Sequence, residues 1–132
     1  MRTLSDEQLA FVTDRHLATL TTSRADGSPH VVPVAFTWDA ARGRARITTK
    51  ATSVKARNIE RAAATGSPAR VALCQVEGWR WLTLEGIATV VHDPADIAQA
   101  VEAYAGRYRT LEFDPARVVI HLDVDSVMGS VR

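Results

Sequence analysis

The sequence is poor in cysteine, since Cys74 is the only one among 132 residues. A single thiol cannot form a disulfide within the chain or supply the cysteine ligands of a zinc site. Cys74 lies in the apolar run VALCQV, which predicts a buried small hydrophobic residue and not a nucleophile. This cysteine usage fits the reducing cytoplasm.

Long apolar runs and an excess of one charge are absent as well. No apolar run approaches the roughly 20 residues of a membrane-spanning helix, and charges occupy the N-terminal segment where a signal peptide needs an apolar core. Sixteen basic and fifteen acidic residues leave a net charge of +1, which gives no general attraction to nucleic acid or to an anionic membrane. We therefore expect a soluble, cytoplasmic protein with no nucleic-acid or membrane partner.

The common catalytic and metal-binding motifs are also missing. The sequence has no HExxH pair, no GxSxG elbow, and no glycine pattern of the GxGxxG or Walker type. Its four histidines are scattered over separate segments: His16, His30, His92 and His121. The sequence therefore predicts neither a metal site nor a catalytic side chain.

Short β-type runs separated by turn residues make up most of the sequence, which predicts a mainly β protein. Turns such as Asp26-Gly27 join successive runs, and regular alternation of strand and helix is absent. This pattern favours a closed or split antiparallel barrel, formed as one domain over residues 1–132. About six strands are expected, at residues 16–22, 29–38, 44–49, 69–76, 81–91 and 118–127.

Two or three helices are expected from capping signals. Ser5 and Asp93 are predicted N-caps of helices that end near residues 13 and 108, and a further helix is predicted over residues 53–64. In that helix, Val54 and Ile59 are expected to face the core. Pro33 interrupts the second strand, which indicates an edge strand, a bulge or a gap left for a ligand.

Residues 44–59, RARITTKATSVKARNI, combine cations and hydroxyls around a predicted strand end and helix start. The free N–H groups of a helix N-terminus stabilise phosphate or carboxylate, and a nearby lysine adds to that attraction. The stretch therefore indicates an anion site. A strand followed by a capped helix with a solvated basic face gives the same pattern, so both interpretations stay open.

Two tryptophans, Trp79 and Trp81, flank Arg80 in the turn between two predicted strands. At alternating positions, the two rings are expected on the same side of a strand. There they would stack on a planar ligand, fill a subunit interface, or belong to the ordinary core.

Three segments in this order resemble the pyridoxamine-phosphate-oxidase-like split-barrel flavoproteins: LATLTTSRADGSPHVVPVAFTWD, ARITTKATSVKARNI and ARVALCQVEGWRWLTLEGIATVV. Within these proteins the sequence is most similar to the actinobacterial branch that uses the deazaflavin coenzyme F-420 in place of FMN. It resembles most the small members described as biliverdin reductases.

The resemblance implies a flavin-binding split barrel that forms a homodimer, with the cofactor in grooves between the subunits. One strand would run along the deazaflavin ring, a strand end and helix start would hold the phosphate, and a turn of the neighbouring subunit would reach over. The implied cofactor-binding residues are Val31, Val32, Pro33 and Val34 for the ring, Thr48, Thr49, Lys50, Ser53, Lys55, Arg57 and Asn58 for the phosphate, and Gly78, Trp79 and Arg80 for the turn.

The implied reaction is hydride transfer from reduced coenzyme F-420 to a planar conjugated small molecule, such as biliverdin or a quinone-like compound. Because the cofactor carries this chemistry, no catalytic side chain is required. Arginines such as Arg57, Arg80 or Arg107 would be natural partners for the carboxylates of a tetrapyrrole. The alternatives are an FMN-dependent oxidase of the same fold and a non-catalytic module that binds a flavin or haem.

Overall fold

The structure is a computed structural model that describes residues 2–132. Within these residues, three helices and seven strands follow one another in an order dominated by hairpins. No helix in residues 2–132 is long and apolar enough to cross a lipid bilayer. The elements are α1 (Asp6–Thr13), β1 (Ala18–Ser23), β2 (Pro29–Val34), β3 (Thr37–Asp39), β4 (Arg44–Lys50), α2 (Val54–Ala64), β5 (Ala69–Glu77), β6 (Arg80–Val91), α3 (Pro94–Arg107) and β7 (Arg117–Ser130).

All seven strands form one antiparallel sheet with the order β2-β1-β5-β6-β7-β4-β3. The two end strands, β2 and β3, are not paired with each other, so within residues 2–132 hydrogen bonds do not close the barrel. The inner face of the sheet carries the core, where Leu20, Leu73 and Leu122 are fully buried. The predicted fold class, a mainly β split antiparallel barrel, is confirmed.

The predicted strand count was too low, because the expected second strand is divided into β2 and β3. The interruption falls at Ala35 and Phe36. The Phe36 ring is buried in the core, and its backbone N–H donates to the hydroxyl of Tyr108 at 3.3 Å. The backbone of Phe36 leaves the sheet because the end of α3, some 70 residues later, supplies its hydrogen-bond partners.

Arg107 reinforces this interruption from the last turn of α3. Its guanidinium donates to the carbonyls of Asp14 and Phe36 and to Gln75 Oε1 at 2.8 Å. It also lies over the Phe36 ring, 4.6 Å from the centroid. Arg107 was expected as a partner for a substrate carboxylate, but its donors are used inside the fold to join α3 to the sheet.

Pro33 lies in β2 at one edge of the sheet, where it is opposite Thr19 of β1. An edge position tolerates the missing N–H because no further strand needs that donor. Of the three interpretations of Pro33, the edge strand is confirmed.

The helix starts agree with the predicted capping signals. Ser5 and Gln8 form a reciprocal capping box at α1, and Asp93 accepts a hydrogen bond from the Asp96 N–H at the start of α3. The expectation that Val54 faces the core was wrong, since 49% of its surface is exposed. The buried face of α2 consists of Ala56, Asn58 and Ile59. The Asn58 side chain donates to Thr22 Oγ1 at 2.9 Å, and this hydrogen bond joins α2 to β1.

His121 of β7 is buried, and its Nε2 atom has no hydrogen-bond partner within residues 2–132. Burial lowers the pKa of His121, and the neighbouring cations Arg44 and Arg46 lower it further, against the opposing effect of Asp96 and Asp123. The neutral imidazole is therefore the form that the fold accommodates.

We predict that the protein loses stability as the pH falls below the ordinary histidine pKa of 6.5. The pKa of His121 is lower in the folded state, so the unfolded chain takes up the proton first. The free energy of unfolding therefore decreases as the pH falls from the unfolded-state pKa to the folded-state pKa. Urea midpoints at pH 7.5 and pH 5.5 measure this, and His121→Gln is expected to reduce the difference. His92→Gln, at an exposed histidine, is the control, and an unchanged difference in His121→Gln would assign the effect to other groups.

Candidate functional site

The end of β4 and the start of α2 meet in a tight turn. The Ser53 N–H donates to the Lys50 carbonyl at 3.0 Å, and Ser53 Oγ accepts from the Ala56 N–H at 3.3 Å as the N-cap of α2. The turn brings the side chains at the end of β4 to the first turn of α2. Cations and hydroxyls from both elements are therefore close in space, as the sequence predicted.

A groove of about 300 Å³ opens beside this turn. We call it the cationic groove, because two lysines and an arginine line it. Its walls come from the end of β2, the end of β4, the first turn of α2, the helix α3 and the segment before β7. The lining residues are Pro33, Val34, Ala35, Thr48, Thr49, Lys50, Lys55, Tyr104, Leu111, Asp114 and Arg117.

Lys55 is partly buried in the cationic groove and has no acidic partner. Neither Lys50 nor Lys55 forms an ion pair with a carboxylate of residues 2–132. Desolvation alone lowers the pKa of Lys55, which means that no nearby carboxylate offsets the cost of burying its charge. A partly desolvated cation of this kind is stabilised when an anion enters the groove.

The other charged groups of the groove do not offset these lysines. Asp114 Oδ1 accepts from the Ala116 N–H at 2.9 Å and shapes the turn before β7. Arg117 donates through Nη1 to the Glu112 carbonyl at 2.9 Å, and its guanidinium makes no other hydrogen bond within residues 2–132. The groove therefore carries more positive than negative charge, together with the hydroxyls of Thr48 and Thr49.

The structure brings six of the expected cofactor-binding residues to the cationic groove. They come from two strands and one helix that are separate in the sequence: Pro33, Val34, Thr48, Thr49, Lys50 and Lys55. The expected ring-contacting strand and the expected phosphate-binding residues thus border the same space.

Other expected residues do not line the groove. Val31 is 55% exposed on the outer face of β2, and Val32 packs against the core. Ser53 caps α2, and Arg57 is exposed on that helix. Asn58 is buried between Thr22 and Arg61, to which it is hydrogen bonded, so its amide already has partners within the fold.

The turn at Gly78, Trp79 and Arg80 does not reach the cationic groove of its own chain, since none of the three lines it. Trp79 is in the turn and is 88% exposed, while Trp81 belongs to β6, so the two rings do not share one strand as expected. Arg80 pairs with Glu77 and lies over the Phe11 ring, 5.1 Å from the centroid.

A cluster of possible metal ligands lies near this turn. Atoms of Asp14, His16 and Glu77 lie within 4.8 Å of one another. Glu77, however, already accepts a hydrogen bond from Arg80, and its Oε2 atom lies 3.0 Å from His16 Nε2. The Arg80 guanidinium offsets the charge of Glu77, and the expectation of no metal site stays a prediction.

Five groove residues were not among the expected cofactor-binding residues, and two of them come from the segment between α3 and β7. That segment was expected to be only a loop. The one sequence signal was its apolar content, since Leu111 and Phe113 are unusual in an exposed connection. The five residues are Ala35, Tyr104, Leu111, Asp114 and Arg117.

Comparison with known proteins agrees with the fold. Residues 4–129 match the family model described as pyridoxamine 5′-phosphate oxidase. An F420H(2)-dependent biliverdin reductase from Mycobacterium tuberculosis is 48% identical over 127 residues, which cover 96% of this chain and 88% of that protein.

Two solved structures are similar over nearly the whole chain. A conserved hypothetical protein from Mycobacterium tuberculosis has a TM-score of 0.79 at 24% identity, with 97% of this chain and 85% of that chain covered. A structure described as an F420 reductase has a TM-score of 0.71 at 25% identity, with 96% and 98% covered. At 24% identity, the similarity to the conserved hypothetical protein concerns the fold alone.

Proposed function

The chain belongs to the pyridoxamine 5′-phosphate oxidase family, and we propose that it is an oxidoreductase that uses reduced coenzyme F-420 to reduce a planar conjugated acceptor. The relative that shares 48% of its residues is a biliverdin reductase of this kind, so biliverdin is the first acceptor to test. The observation that carries the proposal is the partly buried, unpaired Lys55 in the cationic groove.

The residues of the groove fit a phosphorylated deazaflavin. Lys50 and Lys55 supply charge for the phosphate, and Thr48 and Thr49 supply hydroxyl donors. Pro33 and Val34 form an apolar edge of the same groove, suited to the face of a flat ring. When bound, the cofactor supplies a hydride, which with one proton from solvent reduces the acceptor by two electrons.

The protein then has to position the cofactor and exclude water. Rigid elements carry out this task, since the phosphate-binding groups lie on β4 and α2 and the ring-contacting groups lie on β2. Correct orientation of two reactants accounts for a large part of the rate enhancement when no nucleophile takes part.

We also propose that two copies of the chain associate through the outer face of the sheet. A row of paired residues without a charged side chain crosses five neighbouring strands. Its members are Pro33, Thr19, Cys74, Thr83 and Met128. Cys74 was expected in the core but lies partly exposed in this row. A row of uncharged side chains across the exposed face of a sheet is typical of a subunit interface.

The cationic groove lies at one end of this uncharged row, because Pro33 belongs to both. A cofactor in the groove would therefore lie at the subunit boundary. The exposed turn with Gly78, Trp79 and Arg80 is available to reach the groove of a second copy, as the family resemblance implies. A cytoplasmic location is part of this proposal, since the partly exposed thiol of Cys74 fits a reducing compartment.

We predict that Cys74→Arg converts the dimer to a monomer. The side chain lies mid-row between Thr19 and Thr83, so the new charge would be buried without a partner in the interface. Sedimentation velocity measures the change, and thermal melting shows whether the monomer remains folded. Arg70→Gln, at an exposed position on the same strand, is the control. A Cys74→Arg protein that sediments like the wild type would contradict the proposed interface.

Titration of the purified protein with F-420 and with FMN, followed by fluorescence, tests the cofactor assignment. We expect tighter binding of F-420. Steady-state oxidation of reduced F-420 in the presence of biliverdin then tests for turnover. Preference for FMN with peroxide formation would indicate an oxidase, and binding without turnover would indicate a non-catalytic module.

A further inference from the structure

A second, larger cavity lies between α3 and the segment that leads into β7. Its volume is about 640 Å³, within the range of about 300–1,000 Å³ found for small-molecule pockets. We call it the α3 cavity. Its lining residues are Ala51, His92, Pro94, Ile97, Ala98, Val101, Leu111, Phe113, Asp114, Pro115, Ala116, Arg117 and Val118.

The walls of the α3 cavity are mainly apolar. Ile97 and Val101 of α3 line it, as does Leu111 of the segment before β7. Phe113 is 90% exposed at this cavity, so the ring has almost no protein surface to pack against. An exposed aromatic ring beside an apolar cavity is suited to stack on a flat, conjugated molecule.

The α3 cavity adjoins the cationic groove. Both spaces share three lining residues, Leu111, Asp114 and Arg117. Residues 111–117 therefore contribute to the walls of both. Arg117 has a guanidinium with one hydrogen bond to a carbonyl and no carboxylate partner within residues 2–132. A carboxylate of a ligand in the α3 cavity is the natural partner for that guanidinium.

We infer that the α3 cavity binds the acceptor of the reaction, a flat conjugated molecule that carries at least one carboxylate. This inference rests on the proposed function, because it assigns the second reactant to a space that borders the cofactor groove. The apolar walls would bind the conjugated system and Arg117 its carboxylate, while Phe113 would stack against an exposed face of the molecule.

Two other occupants fit the cavity less well. The glutamate tail of the cofactor is a chain of several carboxylates with no conjugated ring, whereas the cavity is mainly apolar and, within residues 2–132, offers Arg117 as its one arginine or lysine. A second copy of the chain would need a broad complementary surface, and the uncharged row on the outer face of the sheet already offers one.

Filling the cavity tests the inference. Ala98 is an exposed residue of α3 that lines the α3 cavity, so Ala98→Trp adds bulk there without disturbing the core. The neighbouring Gln99 is also exposed on α3 and does not line the cavity, so Gln99→Trp is the matched control. Phe113→Ser removes the stacking ring in a second, independent variant.

Binding is measured by absorbance titration with biliverdin in the absence of cofactor and by fluorescence titration with F-420. We expect Ala98→Trp to raise the biliverdin Kd at least tenfold and Phe113→Ser to raise it about threefold. The F-420 Kd, the melting temperature and the sedimentation coefficient should stay unchanged. Gln99→Trp should leave all four quantities as in the wild type.

The inference is overturned if Ala98→Trp and wild type bind biliverdin equally well, or if neither binds it. A higher F-420 Kd in Ala98→Trp would assign the cavity to the cofactor tail, and an altered sedimentation coefficient would assign it to a second copy. Because the biliverdin titration needs no turnover, it is independent of the reductase assay. A protein that binds biliverdin in this cavity but does not oxidise reduced F-420 would overturn the proposed function alone.

Discussion

Lys55→Glu is expected to weaken F-420 binding more than about a hundredfold. A hydrogen bond to a charged group contributes about 1.5–3 kcal/mol, or roughly 10- to 150-fold in affinity. Reversal of the charge adds repulsion between the new carboxylate and the phosphate in a partly desolvated groove. Fluorescence titration of wild type and variant with F-420 measures the ratio of the two dissociation constants.

The fold should tolerate the loss of Lys55. Because desolvation lowers its pKa and no carboxylate offsets this, the protonated amine costs stability in the folded protein at neutral pH. Lys55→Met is therefore expected to keep or raise the melting temperature while it weakens F-420 binding. Arg109→Met is the control, since it removes an exposed cation that lines neither the cationic groove nor the α3 cavity. Equal losses of melting temperature and affinity in Lys55→Met would count against the phosphate assignment.

Gly86→Ala is expected to destabilise the protein by about 3 kcal/mol or more. A Cβ atom at this position would lie 1.9 Å from the Asp123 carbonyl oxygen and 2.9 Å from the Val124 Cα. Both are backbone atoms of β7, at the point where the register between β6 and β7 shifts. These two strands share the longest pairing in the sheet, so a movement that relieves the overlap would disturb the centre of the barrel. Urea denaturation measures the loss.

Gly106→Ala is the matched control for this prediction. Gly106 lies in α3, and an added Cβ would meet no atom within 4 Å. Alanine favours a helix over glycine by about 1 kcal/mol at an interior position, so this variant should be as stable as the wild type or more stable. A Gly86→Ala protein with the wild-type urea midpoint would show that β6 and β7 can separate without cost.

Local signals in the sequence predicted most elements of the fold. The caps at Ser5 and Asp93 and the turn at Asp26-Gly27 depend on residues within a few positions of one another, so they are readable without the rest of the chain. The division of β2 from β3 is different, because it depends on Tyr108 and Arg107, which contact Phe36 across some 70 residues. No local pattern reports such a contact.

The same distinction holds for the candidate site. Thr48, Thr49, Lys50 and Lys55 are close in the sequence, so one strand end and one helix start bring them together. The wall formed by Tyr104, Leu111 and Arg117 was missed because it reaches the groove only through the packing of α3 and β7 against β4.

The most direct test of the account is a crystal structure of the protein with F-420 bound. We expect a dimer in which the phosphate lies within hydrogen-bond distance of Lys55 Nζ, and the deazaflavin ring lies along Pro33 and Val34 at the boundary between the two subunits. A phosphate bound elsewhere, with the cationic groove empty and Lys55 facing solvent, would contradict the account.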